Sequence, residues 1–204
     1  MKQKYFLLKS KRVVLRHLKQ IDRDSIAKNA NDKDVSMWLG SISFPYKKSN
    51  AEKLIQRSYS RARYGRGYVF GIVPRPGKEA VGVISLFIES KKHKAGTIGY
   101  WIGAKYRNQG YMTECVELVL KFAFRKLRLH RIAADHFYGN IASQRVLEKS
   151  GFVYEGRSRQ AYLKKRKWKD LVRYSILRQE FEKEKGKPEF HDLSESSSSM
   201  CNFI

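Results

Sequence analysis

The chain has 204 residues, of which 42% are hydrophobic and 13% aromatic, a length and composition suited to one folded domain with its own core. Its 43 Lys and Arg against 19 Asp and Glu give a net charge of +24, which fits attraction to polyanions and equally a general bias toward basic surfaces, and which opposes small polycationic substrates either way. No stretch approaches the roughly 18 apolar residues that span a bilayer. Tyr5-Phe6-Leu7-Leu8 is too short for the apolar core of about 7–15 residues in a secretory signal. Neither Cys115 nor Cys201 has the neighbours of a disulfide framework or a zinc site. The expectation is a cytoplasmic protein without membrane contact and without a metal.

In chain order, Val13-Val14-Leu15 reads as a first strand, and Asp22 to Asn31 as a modest helix. A clearer helix runs from Asn50 to Arg63, where Ser49 and Glu52 have the spacing of a capping box. Tyr68 to Val73 and Ala80 to Ile88 read as a hairpin turning at Pro74-Arg75-Pro76-Gly77. Thr97 to Ile102 is another strand. Met112 to Leu127 is the best helix, with Met112, Val116, Val119, Leu120, Ala123 and Leu127 along one apolar face. Arg131 to Tyr138 reads as a strand, and Asn140 caps a short helix that stops at Gly151. Phe152-Val153-Tyr154 is a strand entering a Glu155-Gly156 turn, and Val172 to Leu177 is the last strand. This order predicts a mixed α/β (α+β) domain over residues 1–182, with helices flanking a mostly antiparallel central sheet. Residues 183–204 read as a polar, disordered tail that includes the Ser196–Ser199 run.

The stretch from Tyr100 to Glu114 concentrates the chemistry. A strand ends, a short loop contains Gly110, and the strongest helix begins. Unpaired N–H groups at a helix N-terminus bind phosphate. Gly110 allows close backbone approach, and Arg107 adds a permanent charge. Alone, strand–glycine–helix is more often a plain connection than an anion site.

The second half of the chain sharpens this. Arg107-Asn108-Gln109-Gly110-Tyr111-Met112 resembles the R-x-x-G-x-G/A signature of the GNAT superfamily of N-acetyltransferases, with Met112 where that signature has Gly or Ala. Ile98-Gly99-Tyr100-Trp101-Ile102, Asn140-Ile141-Ala142-Ser143, Val146 to Phe152, Glu155-Gly156, Trp168-Lys169-Asp170 and Tyr174-Ser175 resemble the RimJ/RimL branch of ribosomal-protein N-terminal acetyltransferases. The resemblance covers about Lys11 to Phe181. It implies a GNAT fold in which a splayed strand pair forms the acetyl-CoA cleft. It implies that backbone at Ile102 and Ala104 binds the pantetheine amides. The Arg107, Asn108, Gln109, Gly110, Tyr111, Met112 and Thr113 loop would hold the pyrophosphate, with Asn140 and Ser143 on the pantetheine side. The implied reaction is direct attack of an amine on the thioester. Ser143 matches the branch's N-x-x-S pattern and is the candidate proton donor near sulfur, a hydroxyl equally suited to capping its helix. Glu89, at a strand end, is a candidate base beside a water chain. Glu114 in the first helical turn suits the dipole for structural reasons alone. Tyr100 reads as a packing residue, and Trp38, Trp101 and Trp168 as core or cleft walls.

Arg157, Arg159, Lys164, Lys165, Arg166, Lys167, Lys169, Arg173 and Arg178 crowd the end of the domain, with Tyr162 and Trp168 among them. Such interleaving is compatible with contact to ribosomal RNA, and equally with a solvated basic hairpin. Three functions follow as expectations. The first is acetylation of the N-terminal α-amino group of a ribosomal protein, by a monomer or homodimer. The second is acetylation of a small-molecule amine. The third is a non-catalytic RNA- or ribosome-binding module on the same fold.

Overall fold

The computed structural model describes residues 5–185 and orders them as β1 (Leu8–Lys9), β2 (Val13–His17), α1 (Arg23–Ala30), α2 (Lys33–Trp38), α3 (Lys48–Arg63), β3 (Gly67–Pro74), β4 (Gly82–Ser90), β5 (Ala95–Ile102), α4 (Tyr111–Lys121), β6 (Arg131–Phe137), α5 (Ile141–Lys149), β7 (Val153–Lys164), β8 (Lys167–Leu177) and α6 (Arg178–Lys185). The expected tail begins inside α6. Its remainder, with the serine run and Cys201, lies outside the described residues.

Successive side chains of a strand point to opposite faces, and in β3 and β4 both faces carry buried residues. Leu15, Phe70, Ile72, Ile84 and Leu86 join one core with Met112, Cys115, Val116, Val119 and Leu120 of α4. Val69, Val73 and Val83 join a second core with Ile26, Ala51 and Ile55 of α1 and α3. One eight-stranded sheet therefore separates two helical layers, in the order β1-β2-β3-β4-β5-β6-β8-β7. Every pairing is antiparallel except β5 with β6.

The β2–α1 corner rests on a buried ion pair. Asp22 is fully buried and accepts Arg16 Nη1 and Nη2 at 2.8 Å each, the Lys19 N–H at 2.7 Å and the Ala80 N–H at 2.9 Å. Burial raises its pKa, but the Arg16 and backbone hydrogen bonds outweigh that and hold the carboxyl below its usual range.

Several local readings need correction. The α3 helix starts at Lys48, and Asn50 Oδ1 accepts the Lys47 N–H at 2.8 Å, so Ser49 sits inside the helix. Glu52 instead meets Arg23 at 3.2 Å. The long helix leaves α geometry at Phe122, where a π turn sends the Leu127 N–H to the Phe122 carbonyl at 3.1 Å. Glu155-Gly156 is an irregularity within a continuous 12-residue β7, with its register shift between Tyr154 and Gly156. The short helix α2 gave no apolar period to read. Asp32 Oδ1 caps it by accepting the Asp34 N–H at 2.7 Å.

Candidate active site

The one parallel pairing is also the shortest in the sheet interior. Residues of β5 pair with β4 from Ala95 to Ile102, whereas β6 meets β5 only at Ala95↔Arg131, Gly96↔Ile132 and Thr97↔Ala133. Beyond those positions the ladder stops. The edges of Ile98–Ile102 and Ala134–Phe137 that face each other have no strand partner, and unpaired backbone amides favour a ligand that can replace one. A cavity of about 580 Å³ fills this split. Its walls are the two strand edges, the first turns of α4 and α5, and Asp34, Val35, Trp38 and Leu39 from the α2 region.

The loop before α4 turns twice through left-handed backbone, at Asn108 (φ 59°) and at Gly110 (φ 77°). Any residue with a Cβ is disfavoured at Gly110 on this count. The Glu114 N–H makes the first helical bond, to the Gly110 carbonyl at 3.2 Å. The N–H groups of Tyr111, Met112 and Thr113 precede it and have no intrahelical acceptor. They lie at the cavity wall, with the positive end of the helix dipole behind them.

The nearby cation differs from the expected one. Arg107 lines the cavity, but its guanidinium meets Asp32 at 2.7 Å and Asp34 at 3.5 Å, fastening the loop to the start of α2. Arg12, from the β1–β2 turn, lies at the helix start instead. It donates to the Gln109 carbonyl and to Glu114 Oε2, each at 2.9 Å, and packs over the Tyr111 ring at 5.0 Å. Burial pushes the Glu114 pKa up, but hydrogen bonds from Ser10 and Arg12 more than reverse it. Glu114 is thereby a structural partner of Arg12.

On the opposite wall, Asn140 Oδ1 accepts the Ser143 N–H at 3.1 Å, so Asn140 caps α5. The Ser143 hydroxyl is left for another role, and it lies 3.0 Å from the Tyr100 hydroxyl. Burial pushes the Tyr100 phenol up, partly offset by that hydrogen bond, so it stays protonated at neutral pH. Tyr100 thus presents a polar group to the cavity, beyond the packing role read from sequence. Burial also raises the Cys115 thiol, leaving it inert.

Of the expected site residues, Ile102, Arg107, Asn108, Gly110, Tyr111, Met112, Thr113, Asn140 and Ser143 line the cavity together. Ala104 and Gln109 belong to the same loop but lie off its wall, the Gln109 amide donating to the Lys105 carbonyl at 2.7 Å. Glu89 is not brought there. The strand β4 runs antiparallel to β5, so its C-terminal end meets the start of β5, at Ser90↔Ala95, while the split opens toward Ile102. The Glu89 carboxylate is exposed and accepts from the Thr97 hydroxyl. Trp38 and Trp101 are cavity walls, whereas Trp168 is exposed. Residues that sequence reading missed are Arg12, Asp34 and His136, the last lining the cavity with Nδ1 3.0 Å from the Phe137 carbonyl. The Asp32-x-Asp34 capping pattern was the one available signal for the α2 wall.

Among the described residues, no group of three or more His, Cys, Asp or Glu is placed to hold a metal ion, and no helix is long and apolar enough to cross a membrane.

The acetyltransferase (GNAT) domain family matches residues 12–153 of the chain. The probable N-acetyltransferase YjcK of Bacillus subtilis is 31% identical over 175 residues, covering 84% of this chain and 97% of that protein. The [ribosomal protein uS5]-alanine N-acetyltransferase of Escherichia coli is 30% identical over a shorter span, 54% of this chain and 57% of that one. A solved structure of a RimL ribosomal L7/L12 α-N-protein acetyltransferase in complex with coenzyme A has a TM-score of 0.77 at 20% identity, covering 84% of this chain and 98% of that one, a likeness of fold. A sheet split at its one parallel pairing, a glycine-led helix facing the split, and a family match across it lead to one conclusion: the chain belongs to the GNAT acetyltransferase family and is an N-acetyltransferase.

Proposed function

We propose that this enzyme, a single catalytic domain over residues 1–182, transfers the acetyl group of acetyl-CoA to the N-terminal α-amino group of a ribosomal protein in the cytoplasm. The observation that carries the reading is the continuity of the β5–β6 split with the free N–H groups of α4. These two features suit a ligand with an amide-bearing arm and a pyrophosphate. Acetyl-CoA supplies the activated thioester. Open backbone groups of Ile98–Ile102, Ala134–Phe137 and Asn140 orient the arm, and the N–H groups from Tyr111 to Thr113 hold the phosphates. Strand N–H groups beside the thioester carbonyl polarise it. The Ser143 hydroxyl, its backbone fixed by Asn140, delivers a proton toward the departing sulfur. The Tyr100 and Ser143 hydroxyls lie 3.0 Å apart and either can donate; with Tyr100 as the donor, the serine proton points into the cavity. The proton lost by the amine leaves through water at the cavity mouth, since Glu89 is not among the lining residues.

Two things support a polypeptide acceptor. Relatives named for ribosomal-protein acetylation align with about half of the chain. The lining carboxylates, Asp34 and Asp135, both face arginines, Asp34 at 3.5 Å from Arg107 and Asp135 at 2.7 Å from Arg173. A polyamine or aminoglycoside would find no unpaired carboxylate among the described lining residues. The test is mass spectrometry of ribosomal proteins incubated with the enzyme and acetyl-CoA. One acetyl group on an N-terminal amine, with lysines unmodified, is the expected product. Exclusive acetylation of small amines would overturn the acceptor assignment and leave the family intact.

A further inference from the structure

The hairpin of β7 and β8 runs past the end of β6 and is fastened to the cavity's α2 wall. Lys164 Nζ donates to the carbonyls of Ser36 and Leu39, the latter at 2.6 Å, and Leu39 lines the cavity. Tyr162 packs against the Phe137 ring at 5.3 Å, and a Cβ on Gly40 would collide with its hydroxyl. The tip of the hairpin therefore stands beside the cavity mouth.

The charges on that hairpin divide into two sets. Arg157 and Arg173 are neutralised by Asp170 and Asp135, and the Lys164 ammonium is held by carbonyls. Arg159, Lys165, Arg166, Lys167 and Lys169 are exposed. Leu163 and Trp168 are register partners, 54% and 58% exposed, on the opposite face of the hairpin from Lys167 and Lys169. The turn itself is Lys165-Arg166, with φ of 46° and 62°. A two-residue hairpin turn with both φ positive favours Asn-Gly, because a Cβ is crowded there. Local backbone preference therefore does not account for two long cations at this point.

From this juxtaposition we propose that the hairpin tip is the docking surface for an acidic segment of the acceptor polypeptide, a few residues beyond the amine held in the cavity. The proposal rests on the N-terminal acetylation reading above. The exposed cations at the turn and along one face supply the complementary charge. RNA is the less favoured polyanion. Single-stranded RNA is read by stacking bases on several open aromatic rings, and of the two aromatics interleaved with this charge Tyr162 is packed away.

The test uses three peptides with the same first residues and acidic, neutral or basic residues downstream. The wild-type enzyme is expected to show a KM for the acidic peptide about tenfold below that for the basic one, a gap that narrows as salt is added. Reversing the charge with Lys165→Glu, Arg166→Glu and Lys167→Glu together is expected to abolish the gap. Equal KM values for the three wild-type reactions, which need no variant, overturn the proposal. So does a single-stranded RNA that binds the tip, loses binding on charge reversal and has no acidic-peptide counterpart. If no peptide is acetylated while acetyl-CoA still stabilises the protein, the N-terminal reading itself has failed and the docking surface with it.

Discussion

The strand β5 has two neighbours that treat it differently. Toward β4 it is paired along its whole length, and residues on both faces of that pair join the two cores. Toward β6 it is paired for three residues and then left open. The same strand therefore belongs to a closed ladder on one edge and lines a cavity on the other. The difference lies in what satisfies the backbone: protein on the β4 side, and a cavity on the β6 side that a chain of amides would fill. Stability and binding can accordingly be perturbed separately.

The largest expected effect is on the closed side. Asp22→Ala removes one partner of a buried ion pair and leaves Arg16 uncompensated, at a cost of about 4 kcal/mol in unfolding free energy. Acetyl-CoA affinity, measured on the folded fraction by calorimetry, should be unchanged. Because the folded pKa of Asp22 is depressed, its contribution is present above the unfolded value of about 3.9 and is lost as pH falls through the folded value. Wild type and Asp22→Asn should therefore converge in stability in acid. Urea titrations across that window provide the check.

On the open side, Gly110→Glu places a carboxylate at the positive helix end and a Cβ at a φ of 77°. Acetyl-CoA affinity should fall more than about 100-fold by calorimetry. Ser143→Ala should lower kcat about 100-fold with little change in acetyl-CoA affinity, as steady-state kinetics would show. Retained kcat would mean that the cavity works without its hydroxyl. Tyr100→Phe removes one hydrogen bond to that serine and should lower kcat about fivefold. The phenol stays protonated while the amine titrates, so the pH–rate profiles of Tyr100→Phe and wild type should share one shape.

The open side was the more legible in sequence. Met112, Cys115, Val116, Val119 and Leu120 fall at helical spacing and are all buried, and Gly110 marks the turn before them. Asn140 announced the α5 cap by its residue type alone. What the sequence hid depends on distance along the chain. Arg12 reaches the Gln109 carbonyl across 97 residues, and no local pattern encodes that contact. In sequence Arg107 is a free charge beside the loop, because its partners Asp32 and Asp34 are the cap and second residue of a six-residue helix too short to show a period. In sequence Glu89 reads as a cleft residue, because a strand end carries no record of which end of its neighbour it meets. The antiparallel register supplies that and sends it to the wrong end.

If the unpaired edge between β5 and β6 holds acetyl-CoA, amide chemical-shift mapping on the labelled protein will locate the ligand there. Titration with acetyl-CoA should shift the N–H signals of Tyr111 to Thr113 and of the Ile98–Ile102 edge, leaving β2 and β3 unmoved. Shifts confined to the β2–β3 side, or none at saturating ligand, would rule out acetyl-CoA at this edge.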